Sequence, residues 1–198
     1  RPGLKVVRKD LEQVHFCLGC EALPQNHHDR FVQQLLNCLL GGSMSSRLFQ
    51  TVREERGLAY SIYSYLNVHS DAGALVVYGG TSADELWETV HLALEQFTDL
   101  KAGKICTDEL QMAKEQMKGT LLLSLESSDN RMTRLAKNEI FLGFQPQLED
   151  IVASIDKVTI DEVQQLANRI MADASLNLNI IGPVSDADLK LDNLSIPG

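Results

Sequence analysis

The chain has 198 residues, 44% of them hydrophobic, and sets 18 Lys and Arg against 27 Asp and Glu for a formal charge of −9. That length and apolar content can bury a core without disulfides or metal staples, so one domain spanning residues 1–198 is expected. The acidic balance, with no basic stripe, excludes nucleic acid as a main partner, because phosphate binding relies on clustered Lys and Arg. No apolar run approaches the roughly 20 residues of a membrane span.

Four cysteines at irregular spacing do not make a disulfide framework, and they suit a reducing compartment; the expected location is the cytoplasm. The sequence opens at Arg1-Pro2 without an initiator Met, which reads as an excised domain or a processed product whose upstream targeting signal is out of view.

In chain order, strands are expected over about 5–8 and 13–23, then a helix over about 29–40 with Phe31, Leu35, Leu36 and Leu39 on one face and Cys38 as a small buried hydrophobe among them. Gly41 and Gly42 stop that helix, the commonest use of glycine there. They also read as a loop where a substrate backbone can approach for want of a Cβ. Met44, Leu48, Phe49 and Val52 then recur at helical spacing with serines ahead of them, and Gly57 ends the run. After the glycine the period becomes two: Tyr60, Ile62, Ser64 and Leu66 share one face of a strand, and Ser61, Tyr63, Tyr65 and Asn67 share the other.

This places Arg53 in the last turn of a helix and Tyr60 at the start of a strand. Arg53 and Arg56 suit the negative end of a helix dipole, and a strand tyrosine is ordinary. A guanidinium and a phenol converging on one spot can instead hold a peptide carbonyl and stabilise the charge it develops.

The apolar strand Gly73–Gly80 comes next, and Ser82-x-x-Glu85 is a capping box opening a helix to about Leu100. Thr107 is expected to cap a helix running through Ser127, and a shorter helix covers about 130–142. Gly-Pro punctuation between Phe141 and Asp156 marks a loop before another helix. Thr159-x-x-Glu162 caps the last helix, ending near Met171, and Ser175–Val184 alternates as a closing strand. Strands mixed with consecutive helices indicate an α+β fold, a mostly antiparallel sheet with helices packed on one face.

Metal chemistry finds little support in the residue pattern. Cys17-x-x-Cys20 lies inside a strand that sends positions three apart to opposite faces, and zinc would need two more ligands, so the pair reads as incidental thiols. His27 and His28 are adjacent, should point apart on a helix and read as solvated residues; His15 reads as structural. Acidic runs such as Glu85–Phe97 read as solvated helical faces.

The run GGSMSSRLFQTVREERGLAYSIYS, residues 41–64, resembles the signature of the carboxy-terminal half of the pitrilysin family of zinc peptidases, which includes mitochondrial processing peptidase, insulin-degrading enzyme and bacterial processing proteases. Residues 13–23, 108–132 and 177–183 are similar to further segments of that half. The resemblance implies a metallopeptidase-half (LuxS- and processing-peptidase-like) fold. It implies that zinc is bound by an amino-terminal half through an inverted H-x-x-E-H motif, which His15, His27, His28, His69 and His91 do not form here. The carboxy-terminal half supplies an Arg and a Tyr seven residues apart from the facing wall of a closed chamber, and Arg53 and Tyr60 match that spacing. The implied partners are a peptide substrate and the zinc-bearing half of the same or another subunit, in a homodimer or heterodimer. Within that picture Arg53, Tyr60, Gly41 and Gly42 contact substrate, and the strand Gly73–Gly80 could add an extended peptide by strand pairing. The alternative is a non-catalytic scaffold or inactive partner of the same family.

Overall fold

Five strands and six α-helices succeed one another along the residues that the computed structural model describes, 3–184 and Ile196. The strands are β1 (Gly3–Arg8), β2 (Val14–Ala22), β3 (Ala59–Val68), β4 (Gly73–Thr81) and β5 (Asn177–Gly182). The helices are α1 (Arg30–Leu40), α2 (Leu86–Lys101), α3 (Thr107–Ser124), α4 (Ser128–Leu142), α5 (Leu148–Lys157) and α6 (Ile160–Ile170), with a π-helical segment at Phe49–Glu55. One sheet forms in the order β1-β5-β2-β4-β3; β1 joins β5 in parallel and the remaining pairs are antiparallel. The α+β expectation is met.

Alternation along β2 shows which face is covered. Val14, Phe16, Leu18 and Cys20 are buried, whereas His15, Cys17 and Gly19 between them are only partly so. The buried set belongs to one cluster with Leu35 and Leu36 of α1, Leu94 and Phe97 of α2, and Leu166 of α6. Each such side chain removed from water contributes about 1.5–3 kcal/mol, and this layer holds the helices to the sheet. The opposite face carries rings: Tyr63 and Tyr78 have centroids 5.0 Å apart, and the Tyr78 hydroxyl lies 2.9 Å from His15 Nδ1.

Helix starts obey local chemistry with shifts of a residue or a turn. The Thr159 box forms in full: the Thr159 amide donates to Glu162 Oε2 at 2.8 Å and the Glu162 amide to Thr159 Oγ1 at 3.3 Å. The Ser82 box forms only by half: the Glu85 amide donates to Ser82 Oγ at 3.3 Å, but the Glu85 carboxylate accepts from the Ser82 hydroxyl at 2.8 Å, and α2, beginning at Leu86, has Glu85 and not Ser82 as its N-cap. Cys106, not Thr107, caps α3, its Sγ accepting from the Glu109 amide at 3.3 Å. Cys38 is only partly buried, with its thiol 3.9 Å from the Ala113 carbonyl.

The end of α1 is clipped to the edge of the sheet. The Ser64 amide on the outer side of β3 donates to the Gly41 carbonyl at 3.0 Å, and Ser64 Oγ lies 2.8 Å from Asn37 Oδ1. A Cβ at Gly41 would come within 2.5 Å of that amide nitrogen, so only glycine allows the approach. β4, expected as a docking strand for an extended peptide, is paired on both sides, by β2 and β3, and has no free edge.

Gly41→Ala must therefore push α1 off β3 or distort the turn, and should cost about 1–3 kcal/mol in urea unfolding; an unchanged midpoint would show that the clip yields freely. Burial, with Glu21 adding to it, pushes the Cys20 thiol up to about 12. At pH 8 only roughly one Cys20 in 10⁴ is then a thiolate, so an alkylating reagent should modify exposed Cys106 and leave Cys20 unmodified until the chain unfolds.

Candidate functional site

The stretch between α1 and β3 is built by its own side chains. Ser46 Oγ donates to the Ser43 carbonyl at 2.5 Å, and Gln50 Nε2 to the Met44 carbonyl at 2.7 Å, so residues 43–46 turn tightly before the helix starts. Met44 is therefore 75% exposed rather than part of an apolar helical face, and Phe49 is only partly buried; Leu48 and Val52 carry the burial. Arg47 fastens this segment to α3. Its Nε and Nη2 donate to the two Glu109 carboxylate oxygens at 2.6 and 2.8 Å, a forked pair that fixes direction as well as distance.

From Phe49 to Glu55 the helix widens to π winding, a form concentrated at functional positions. Its exit is drawn wide, the Leu58 amide donating back to the Val52 carbonyl at 3.0 Å, and Gly57 takes the left-handed conformation (φ 66°) that reverses the chain into β3.

β3 then begins with an irregularity. Ala59 pairs with Thr81 and Ser61 with the adjacent Gly80, which leaves Tyr60 as an extra, unpaired residue. The bulge turns Tyr60 away from the buried face of Ile62 and Ser64, on which simple alternation places it, and leaves it 76% exposed.

These two irregularities bring the expected pair together. The Arg53 guanidinium carbon lies 5.1 Å from the Tyr60 ring centroid and 4.7 Å from the Phe49 ring centroid. Stacking of this kind contributes about 0.5–1 kcal/mol at an exposed position. The nearest carboxylate, Glu54, is 3.8 Å from Arg53 Nε, a loose contact between two partly exposed side chains. Arg53 lines an open groove of about 290 Å³ together with Gly41, Gly42, Ser43, Met44, Phe49 and Tyr63. Both glycines singled out from the sequence thus line the groove with Arg53, whereas Tyr60 packs against Arg53 without being among the lining residues.

Phe49 and Tyr63, which the sequence offers only as a helix-face and a strand-face position, also line the groove. Phe49 stands four residues before Arg53, the spacing at which helical side chains meet, and that was a readable signal. Tyr63 enters the groove through the sheet register, which the letters do not show.

A catalytic zinc does not fit the described residues. Among the described residues one His/Cys/Asp/Glu group is close enough to hold an ion, His27, His28 and Asp29. The two imidazoles stack at 4.1 Å between centroids instead of pointing apart. His27 Nδ1 already accepts the Asp29 amide at 3.1 Å, and Arg169 holds the Asp29 carboxylate at 3.1 Å. Partial burial, reinforced by the His28 and Arg169 charges, lowers the His27 pKa. The group is a charge-compensated turn ahead of α1, with no carboxylate placed to act as a base beside two free imidazoles.

Residues 2–117 match the family model described as the Peptidase M16 inactive domain. An uncharacterized zinc protease of Bacillus subtilis is 44% identical over 166 residues, which are 84% of this chain and 41% of that protein. One from Streptomyces coelicolor is 34% identical over 92% of this chain and 40% of its own length. The chain thus spans about two fifths of the curated relatives it matches. A crystal structure of a peptidase M16 inactive domain from Pseudomonas fluorescens superposes with a TM-score of 0.84 at 22% identity, covering 93% of this chain and 44% of that one. A chain of complex III from Candida albicans does so at 0.83 and 17% identity, covering 97% and 48%. At those identities the structures speak for the fold alone. The matched residues and the relatives together show that this chain belongs to the M16 (pitrilysin) family of zinc proteases, through the part of it called the inactive domain.

Proposed function

We propose that this chain is the substrate-holding half of a zinc metalloendopeptidase and is inactive alone. The observation that carries the reading is the Arg53–Tyr60 stack beside an open groove, because a rare helix form and a strand bulge are both spent on exposing these two polar side chains. The metal belongs, in this reading, to the part of the longer protein outside these residues, as a separate segment of the same polypeptide or of a partner subunit.

Arg53 binds. Packing against the Phe49 and Tyr60 rings holds the guanidinium at the groove, where its N–H groups can donate to a substrate backbone carbonyl. Tyr60 donates. Hydrolysis turns a planar amide into a tetrahedral oxyanion, and a neutral hydroxyl aimed at that oxygen stabilises charge that exists only in the transition state. Gly41 and Gly42 present backbone without side chains at the groove wall, giving an extended peptide room whatever its sequence.

A second reading, a non-catalytic scaffold, is supported by the description of the matched family model as an inactive domain. The two separate on Tyr60, since a scaffold has no use for a tyrosine turned out by a strand bulge and left 76% exposed.

Tyr60→Phe in the full-length, zinc-loaded protein should lower turnover on the order of 10² to 10³ with an unchanged unfolding midpoint. Arg53→Lys keeps the charge but loses the fork, and should raise KM more than it lowers kcat. Cleavage of a panel of unfolded peptides that neither variant alters would leave the scaffold.

A further inference from the structure

The helical segment 47–55 that carries Arg53 buries two side chains completely, Leu48 and Val52. Four positions apart, they lie on one line along the helix. Such a line fixes how far a helix stands from its neighbours but also acts as an axle, about which the helix can still roll. Beyond Val52 the ion pairs offer little resistance to a roll. Arg53–Glu54 is internal to the segment, and Arg56–Glu88, at 3.8 Å, joins side chains more than half exposed, a kind of contact that contributes almost nothing. Arg47, at the other end, is held firmly. Besides its two bonds to the Glu109 carboxylate, its Nη2 donates to the Lys104 carbonyl at 2.5 Å, and its side chain is only 14% exposed. Both acceptors are themselves fixed: the Glu109 amide donates to Cys106 Sγ, and the turn before α3 is tied to α6 where Gln164 and Asn168 donate to the Lys101 carbonyl at 3.1 and 2.8 Å.

We propose that Arg47 is a positioning residue for substrate binding: its fork onto Glu109 stops the segment 47–55 from rolling and so sets where the Arg53 guanidinium stands. The inference rests on the reading of this chain as the substrate-holding half and adds a residue that acts on substrate only through Arg53. Arg47 is not among the residues that line the groove. The contacts of Arg53 show what a roll would change. Phe49 and Arg53 ride on the same helix, whereas Tyr60 belongs to β3. Rolling therefore moves Phe49 and Arg53 together, preserves the 4.7 Å stack between them and opens the 5.1 Å contact with Tyr60. The Arg53–Tyr60 separation is the coordinate that Arg47 controls, and a group that must meet a substrate carbonyl tolerates a displacement of only about 0.5 Å. A forked pair resists rotation where a single point charge does not, which is why an arginine rather than a lysine serves here.

Kinetics of the full-length, zinc-loaded protein on an unfolded peptide test this, together with a fluorine label that reads the ring stack without turnover. Arg47→Lys keeps the charge and loses the fork, and should raise KM about tenfold while lowering kcat less. Glu109→Gln keeps the shape of the side chain and should act in the same direction more mildly. In an Arg53→Lys background, Arg47→Lys should add less than about twofold, because two residues on one route to the substrate are not additive. With 3-fluorotyrosine incorporated, the Tyr60 resonance, assigned by its loss in Tyr60→Phe, should move in Arg47→Lys before any peptide is added. A resonance and a KM that both keep their wild-type values in Arg47→Lys and Glu109→Gln would overturn the proposal, and so would full multiplication of the Arg47 and Arg53 effects, the mark of a role in stability alone. If Tyr60→Phe lowers turnover while the Arg47 variants change neither readout, the reading of the site stands and this inference falls. If Tyr60→Phe and Arg53→Lys leave turnover intact while the resonance moves, the reading of the site falls and the hold of Arg47 on Arg53 stands.

Discussion

A single backbone contact governs the geometry of the site: the Gly41 carbonyl accepting from the Ser64 amide on the outer edge of β3. It seals part of an edge that would otherwise offer unpaired amides to other chains, and it anchors the start of the segment that carries Arg53. Arg47, forked onto Glu109, anchors the middle. Between these two ties and the strand itself, the loop and π-helical segment have little freedom, so the arginine is presented by a frame rather than by a tether.

Within that frame two departures from regular structure set the direction of the side chains. The π winding adds a residue to a helical turn, and the bulge adds one to a strand. Each rotates the residues after it relative to the regular pattern. Without the bulge Tyr60 would share the face of Ile62, which is buried. The site is thus a local breach of the rules that build the rest of the fold, supported by neighbours that obey them.

Much of the fold was legible because its signals are local. The Thr159–Glu162 box needs only four residues, and the alternation of β2 names its buried face without reference to any partner. The site was legible as to residues but not as to posture. Counting by twos from Tyr60 cannot register an inserted residue, and seven residues are too few to tell a π helix from an α helix by the spacing of Leu48, Phe49 and Val52. Met44 was misplaced because serine side chains, not apolar periodicity, shape its turn. The Arg47–Glu109 tie spans 62 positions and no local pattern announces it. The stacked His27 and His28 depended on a turn where a helix was assumed.

The position of β5 bears on how the molecule assembles. It lies between β1 and β2, pairing in parallel with the first described strand and antiparallel with the second, so among the described strands the first two in chain order are joined only through the fifth. Closing so long a stretch of chain is entropically slow, and an emerging polypeptide has β1 without a sheet neighbour until Asn177–Gly182 has been synthesised. Until that moment the edge of β1 and its apolar residues stand open to other chains, so mispairing with a second copy is easiest in the interval between the making of β1 and of β5.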